Sequence, residues 1–450
     1  MDVNKLKNTD ATHGGNAIRL NDLCAAYAFL LTVAACLVGS IANTTVMLII
    51  VALYAFLILR PEHLLGPVLF FTVFDDYLLA GSGASVSRFV TLFFIAGTAL
   101  YILQKGAIKQ SSLYLIVLIA FGVLLSFYST YGQTSFPVSY VLNLILAITM
   151  LNLPKVSVED IPKQIYRYAA LAVAFVYLLF IKNGFDSLVE GSRMTIGEDV
   201  NSNQLAKGLA IVMSLLVCDL LLSKKHLLLN IVLIVANLVA VFLSGSRTAL
   251  IAAIISVFFL CILNTQDKRS RGKAFLWLTL SVALLIIIYN TLQKAFPVLM
   301  ERFTTDSIEE SGGTGRIDIW KNYFIHFFPK YWFIGMGFNH QNLFYGLKGL
   351  NIQAHGAHNL LIEILSISGV VGLALYTICF VRFFRTALKN LQANRTQLLP
   401  IAIVITTLVN GIGENALLER FMWFGIGLGY MLLSASARKS ENLPEDISNT

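Results

Sequence analysis

The chain has 450 residues, 57% of them hydrophobic and only 13% charged, with a mean hydropathy of +0.73. A soluble domain carries about 25% charged residues, so this composition excludes an ordinary water-covered globule. The net charge of +8 does not require nucleic acid, because in a membrane protein the placement of lysine and arginine matters more than their sum.

Residues 1–21 are polar and of mixed charge, and read as a cytoplasmic tail. The run that follows, "LCAAYAFLLTVAACLVGSIA", reads as a retained span rather than a cleaved signal peptide. The polar start is long and a second apolar run follows at once. Apolar segments of roughly spanning length fall at 22–39, 44–60, 65–80, 88–104, 112–128, 138–153, 168–182, 204–222, 227–243, 247–264, 274–291, 358–381, 398–412 and 421–437. The expected fold is an all-α polytopic membrane protein with about 14 transmembrane helices, or 12 if the short third and thirteenth are discounted. About eleven spans fill 22–292 and about three fill 358–437; between them lies a long outer loop, 293–357, and residues 438–450 form a second cytoplasmic tail. Cys24, Cys36, Cys218, Cys261 and Cys379 lie in apolar runs without metal-type spacing and read as small core residues.

Basic residues concentrate in alternate loops, among them Lys105 and Lys109, the 155–167 segment, "SKKH", "DKRSRGK" and the 382–395 loop. The positive-inside rule places these loops and both termini in the cytoplasm. The opposite face then owns 182–203, the turn "SGSR" and the long loop. Within that loop, "GRIDIWKNYFIHFFPKYW" predicts an amphipathic helix with Ile317, Trp320, Phe324, Phe327 and Tyr331 on one face. Pro329 should end or kink it near Phe328, and the helix is expected to lie along the membrane interface or to cap the bundle.

Candidate chemistry gathers on that outer face. His358 is expected in the first turn of the span beginning near 358, where unpaired backbone N–H groups favour the uncharged, proton-accepting ring. Asn359 beside it can hold a sugar hydroxyl or orient the imidazole, and His355 is a weaker candidate of the same kind. Arg247 opens a span, Arg316 opens the amphipathic helix, and Arg193 sits in the 182–203 loop ahead of "NSNQLAKG", which holds Asn203. A guanidinium at a helix start opposes the macrodipole unless an anion offsets it, and phosphate fits that arrangement through forked hydrogen bonds. Asp75, Asp76, Glu363, Glu414 and Glu419 are acids in or beside spans, functional candidates by position; Glu363 could pair with one of the arginines. No metal-type cluster, nucleophile elbow or dinucleotide fingerprint is present in the sequence, so no metal and no cofactor is expected.

These stretches together resemble the bacterial O-antigen ligase and O-antigen polymerase family. "HNLLIEILSISGVVG" matches a His-Asn, nine residues, Gly, two residues, Gly pattern through His358, Asn359, Gly369 and Gly372. "GGTGRIDIW" looks like the family's Gly-Arg-x-x-x-Trp element, "IGMGFNH" like the Gly-x-Gly that follows it, and "SGSRTALIA" like its span-opening Ser-Arg. "NSNQLAKG" is similar as well. The likeness is best over about 190–380. One departure is Ile251, where family ligases often have leucine four residues after the first arginine.

The resemblance implies a glycosyltransferase of the cytoplasmic membrane, working on its extracytoplasmic face in surface polysaccharide synthesis. The donor would be a glycan on undecaprenyl diphosphate and the acceptor a glycan or lipid A-core. Membrane lipid and a chain-length regulator are the further partners, with no role for nucleic acid. His358 would be the base, and Arg247 and Arg316 would hold the diphosphate in a metal-independent, inverting transfer. Gly369 and Gly372 would let helices approach closely below the site. The reading leans to a polymerase, with a ligase as the alternative. A transporter or flippase of the same lipid-linked glycan is the rival from another class; it accounts for many spans and the acids, but not for a loop framed by histidine and arginine.

Overall fold

The computed structural model describes residues 3–41, 44–74, 86–106, 108–131, 138–153, 160–183, 202–223, 226–265, 268–304, 316–339, 341–350, 356–392 and 394–441. Arg193, His355, Asp75 and Asp76 lie outside the described residues. Every regular element among the described residues is helical. The first half runs through α1 (Val3–Ile41), α2 (Thr44–Leu53), α3 (Leu65–Val73), α4 (Val86–Lys105), α5 (Ser112–Ser126), α6 (Val138–Leu151) and α7 (Asp160–Asn183). Next come α8 (Ser202–Ser223), α9 (Leu227–Leu243), α10 (Arg247–Leu263) and α11 (Lys268–Ala295). The segment after α11 holds α12 (Pro297–Glu301), α13 (Arg316–Asn322), α14 (Phe328–Tyr331) and α15 (Gln341–Gly349), and the chain closes with α16 (Leu360–Leu391), α17 (Leu398–Ile412) and α18 (Arg420–Glu441).

Among the described residues, seven helices are long and apolar enough to cross a membrane, and five more apolar helices are 10 to 17 residues long. The chain is an integral membrane protein. Two expected boundaries change. The polar tail over 1–21 is helical from Val3 and runs straight into the first span. The third expected span shortens to the nine residues of α3, which follows a tight turn at Pro61–Leu64.

The centre of the bundle is α8, buried without a break from Leu205 to Cys218. A helix with no polar face has to be surrounded, and α3, α7, α9, α10 and α17 surround it. Hydroxyls tie this centre together: Thr406 Oγ1 of α17 lies 2.6 Å from Ser256 Oγ of α10 and also bonds Ser214 Oγ of α8. Such links contribute about 0.6 kcal/mol each inside a bilayer. In α18, Gly425 and Gly429 bring the backbone against Thr407 and Val404 of α17, while Gly427 faces Ala147 of α6.

The long segment after α11 is sewn into α16. Gly369 interrupts that helix with φ 62° and ψ −161°. A break in a spanning helix frees backbone groups that lipid cannot satisfy. Here a strap, residues 332–338, takes them. Met336 N donates to Ser366 O (2.6 Å) and Gly337 N to Ile367 O (3.2 Å) on one side, and Val370 N and Val371 N donate to Trp332 O (2.8 Å) and Phe333 O (3.2 Å) on the other. Gly369 therefore serves a chain crossing, not the helix–helix approach expected of it. A side chain there would adopt a disfavoured backbone and collide with the Phe333 carbonyl. Gly369→Ala is expected to destabilise by about 1–3 kcal/mol and lower the melting temperature. Gly106→Ala, at φ 66° but in open space, should cost less; equal melting shifts for the two would show that the crossing exerts no constraint.

The expected amphipathic helix after Gly315 also departs from expectation. Its buried stripe is Ile319, Tyr323 and Phe327, with Trp320, Phe328 and Tyr331 half-buried beside it. Ile317 and Phe324 are instead 59% and 47% exposed. The segment is apolar on two sides, so periodicity admits two stripes and the packing partner selects one. That partner is Met336, Leu343, Leu347, Ala357 and Ile362, which makes the helix a cap over the start of α16. Ahead of Pro329, which has no N–H to give, the helix widens into a π-turn over Tyr323–Phe327.

Candidate functional site

The turn between α17 and α18, residues 413–419, gathers the side chains that open several helices. Glu414 is its centre. Its Oε2 lies 3.4 Å from His358 Nδ1, and its Oε1 lies 3.5 Å from an Arg316 guanidinium nitrogen. Oε1 also accepts from Asn203 Nδ2 at 3.3 Å. Arg316 is held a second time, donating to Gly413 O at 2.7 Å. His358, Arg316 and Asn203 are thus brought together around one carboxylate.

Arg247 joins from the start of α10. Its Nε donates to Arg302 O at 2.6 Å, and its guanidinium lies in the field of both Arg302 and Arg316. Gly413 has no side chain because Thr248, the next residue after Arg247, packs directly against it. That close approach seats the start of α10 beside the turn.

His358 is not in the first helical turn, as expected, but just outside it. The helix begins at Leu360 with Asn359 as its N-cap. Asn359 Oδ1 accepts from the amides of Leu361 (2.9 Å) and Ile362 (3.2 Å), a common way to satisfy orphan helix N–H groups. Asn359 therefore neither orients the imidazole nor keeps its carbonyl oxygen for a sugar; Glu414 and Asn415 hold the histidine instead. Asn415 Oδ1 accepts from His358 N at 2.7 Å, and His358 takes a left-handed backbone, φ 47°. Trp320 Nε1 donates to Ala357 O (2.8 Å) and pins the same stretch to the cap helix.

The electrostatics follow from these contacts. Burial pushes the Glu414 carboxyl up, but the His358 hydrogen bond and the charges of Lys207 and Arg316 outweigh it, leaving Glu414 below its ordinary value. Glu414 is thus an anion at neutral pH and can only accept. His358 Nδ1 is then the donor, so that in an uncharged ring Nε2 is the nitrogen left to accept. The His358 side chain is 30% exposed.

A carboxyl with a lowered folded-state value stabilises fully above its unfolded value, about 4.3, and loses that contribution as pH falls through the folded value. Melting temperature should therefore drop more between about pH 7 and pH 3 in the wild type than in Glu414→Gln. Parallel pH profiles would remove Glu414 as a charged anchor.

Sequence reasoning gave Glu414 no special place and missed Arg302, Asn415 and Lys207. Lys207, inside α8, is 2% exposed; its Nζ is 2.9 Å from Glu419 Oε2 and 4.8 Å above the Phe421 ring. A buried lysine amid apolar neighbours was the available signal. Among the described residues, Glu363 pairs with no arginine. Its Oε2 accepts from the amides of Ala416 and Leu417.

Residues 229–377, about a third of the chain, match a family model described as O-antigen ligase. That segment runs from α9 into α16 and contains Arg247, Arg302, Arg316 and His358. No curated protein matches the chain.

Proposed function

We propose that this chain, which matches an O-antigen ligase family model over residues 229–377, transfers a lipid-linked glycan to a sugar hydroxyl. The observation that carries the reading is the single carboxylate, Glu414, shared between His358 and Arg316. A base beside a fixed cation suits a reaction in which a hydroxyl loses its proton as a diphosphate leaves.

In this reading the donor is a glycan on undecaprenyl diphosphate, with its lipid tail in the bilayer. The acceptor oxygen forms a bond to the anomeric carbon as the carbon–oxygen bond to the diphosphate breaks. The acceptor proton goes to His358 Nε2, and Glu414 steadies the imidazolium through Nδ1–H. Arg316 and Arg247 hold the departing diphosphate, in place of a divalent cation. In-line attack inverts the anomeric centre. The site faces out of the cytoplasm, at the cytoplasmic (inner) membrane, with both termini inside. Chain extension by a polymerase is the preferred version. The description of the matching family favours a second, transfer to lipid A-core.

The test is the purified protein in lipid with a defined lipid-linked repeat, with and without a lipid A-core acceptor. Extended glycan without that acceptor supports the polymerase, and product only with it supports the ligase. Movement of the glycan across vesicles with no new glycosidic bond would overturn both in favour of a transporter.

A further inference from the structure

The turn that carries Glu414 and Asn415 is not itself regular structure, yet every proposed contact to His358 passes through it. Its backbone needs partners from outside the turn, and side chains supply them. Trp423 Nε1 donates to Leu417 O at 2.7 Å, and Asn143 Nδ2 to Leu418 O at 2.9 Å. Two amides, those of Ala416 and Leu417, go to one atom: Glu363 Oε2, at 2.8 and 2.9 Å. Glu363 is buried, and its other oxygen makes no hydrogen bond. A carboxyl placed here is costly, and it spends one oxygen wholly on fixing two adjacent peptides.

The connection closes a circuit. Glu363 lies in the first turn of α16, whose cap is Asn359 and whose preceding residue is His358. From His358 the path runs to Asn415 through the backbone amide and to Glu414 through the ring. From the turn it returns through Ala416 and Leu417 to Glu363. One helix start therefore carries both the histidine and the clamp that sets the histidine's partner.

We infer that Glu363 is a positioning residue for the transfer reaction: by gripping the amides of Ala416 and Leu417 it registers Glu414 and Asn415 against His358. The inference rests on the proposed role of His358. Its requirement is reach, not charge. Glutamine keeps the reach, because its amide oxygen can accept the same two N–H groups. Aspartate keeps the charge but is one methylene short, so it must release the turn or drag it inward. A misplacement on the order of 1 Å at such a site costs about a hundredfold in rate.

The experiment compares full-length wild type, Glu363→Gln and Glu363→Asp in the same lipid, per amount of folded protein. Transfer rate is one readout. The other, independent of catalysis, is the rate at which diethyl pyrocarbonate modifies His358, measured by mass spectrometry against exposed His226 in the same chain. Glu363→Gln should stay within about threefold of wild type in both. Glu363→Asp should lose about a hundredfold in kcat and modify at His358 several times faster, with His226 unchanged. The opposite order, a harmless Asp and a damaging Gln, overturns the proposal by making charge the requirement; two wild-type-like variants overturn it by removing any role. A wild type that transfers nothing while the reactivity pattern holds would sink the glycosyl-transfer reading and leave the positioning of His358 by Glu363 standing.

Discussion

His358→Ala is expected to lower glycan transfer by about 10²–10⁴-fold, the range general-base catalysis supplies, while the protein still inserts and still binds its lipid-linked donor. The structure separates these effects. The ring reaches Glu414, which Arg316 also faces, but each arginine proposed for the diphosphate has an anchor that does not involve the histidine: Arg316 to Gly413 O, Arg247 to Arg302 O. The backbone tie from His358 N to Asn415 also survives the substitution, since alanine keeps the amide. What goes is the ring, and with it the proton-accepting nitrogen and the Nδ1 contact to Glu414. The loss should therefore appear in kcat, with the donor KM nearly unchanged. Full transfer by His358→Ala in purified form would end the proposed mechanism.

Arg316→Lys should raise the donor KM by roughly 10–100-fold, the loss expected for one or two hydrogen bonds between charged groups. The charge is retained, so any long-range steering is retained as well. The fork is lost. Arg316 donates to the Gly413 carbonyl with one terminal nitrogen and faces Glu414 with the other, an arrangement a single ammonium cannot reproduce while also gripping a phosphate. Melting temperature gives the control, because the cap stripe of Ile319, Tyr323 and Phe327 is untouched. A lysine variant with wild-type donor kinetics would reduce Arg316 to a structural tie.

Much of this arrangement was legible in the sequence, and the remainder was hidden for specific reasons. Spanning segments follow from apolar run length, and His358, Arg247 and Arg316 stand out because polar groups at the mouths of such runs are costly. Glu414 was one of five candidate acids, with nothing to set it above the others. It lies 56 residues from His358, in "GIGENALLER", where two acids beside a turn look like ordinary boundary residues. Only packing reveals which acid faces the site and which, Glu419, answers a buried lysine. Asn359 misled for the opposite reason: its neighbour suggested chemistry, whereas its own position before a helix made it a cap. The strap was invisible because an irregular backbone pairing has no periodicity; its trace was the glycines at 335, 337 and 369, each at positive φ.

The strap also constrains how the molecule is made. Residues 332–338 leave the ribosome before the stretch from Ser366 to Val371 that receives them. Until that later stretch is synthesised and inserted, the strap can hold only its earlier ties, Phe338 N to Leu125 O and Thr130 N to Met336 O, and the cap helix lacks the start of α16 that it covers. The site is consequently assembled late in biogenesis, completed only when the turn after α17 arrives. A nascent chain truncated before that turn would lie in the bilayer with most of its spans but without the carboxylate that His358 and Arg316 share.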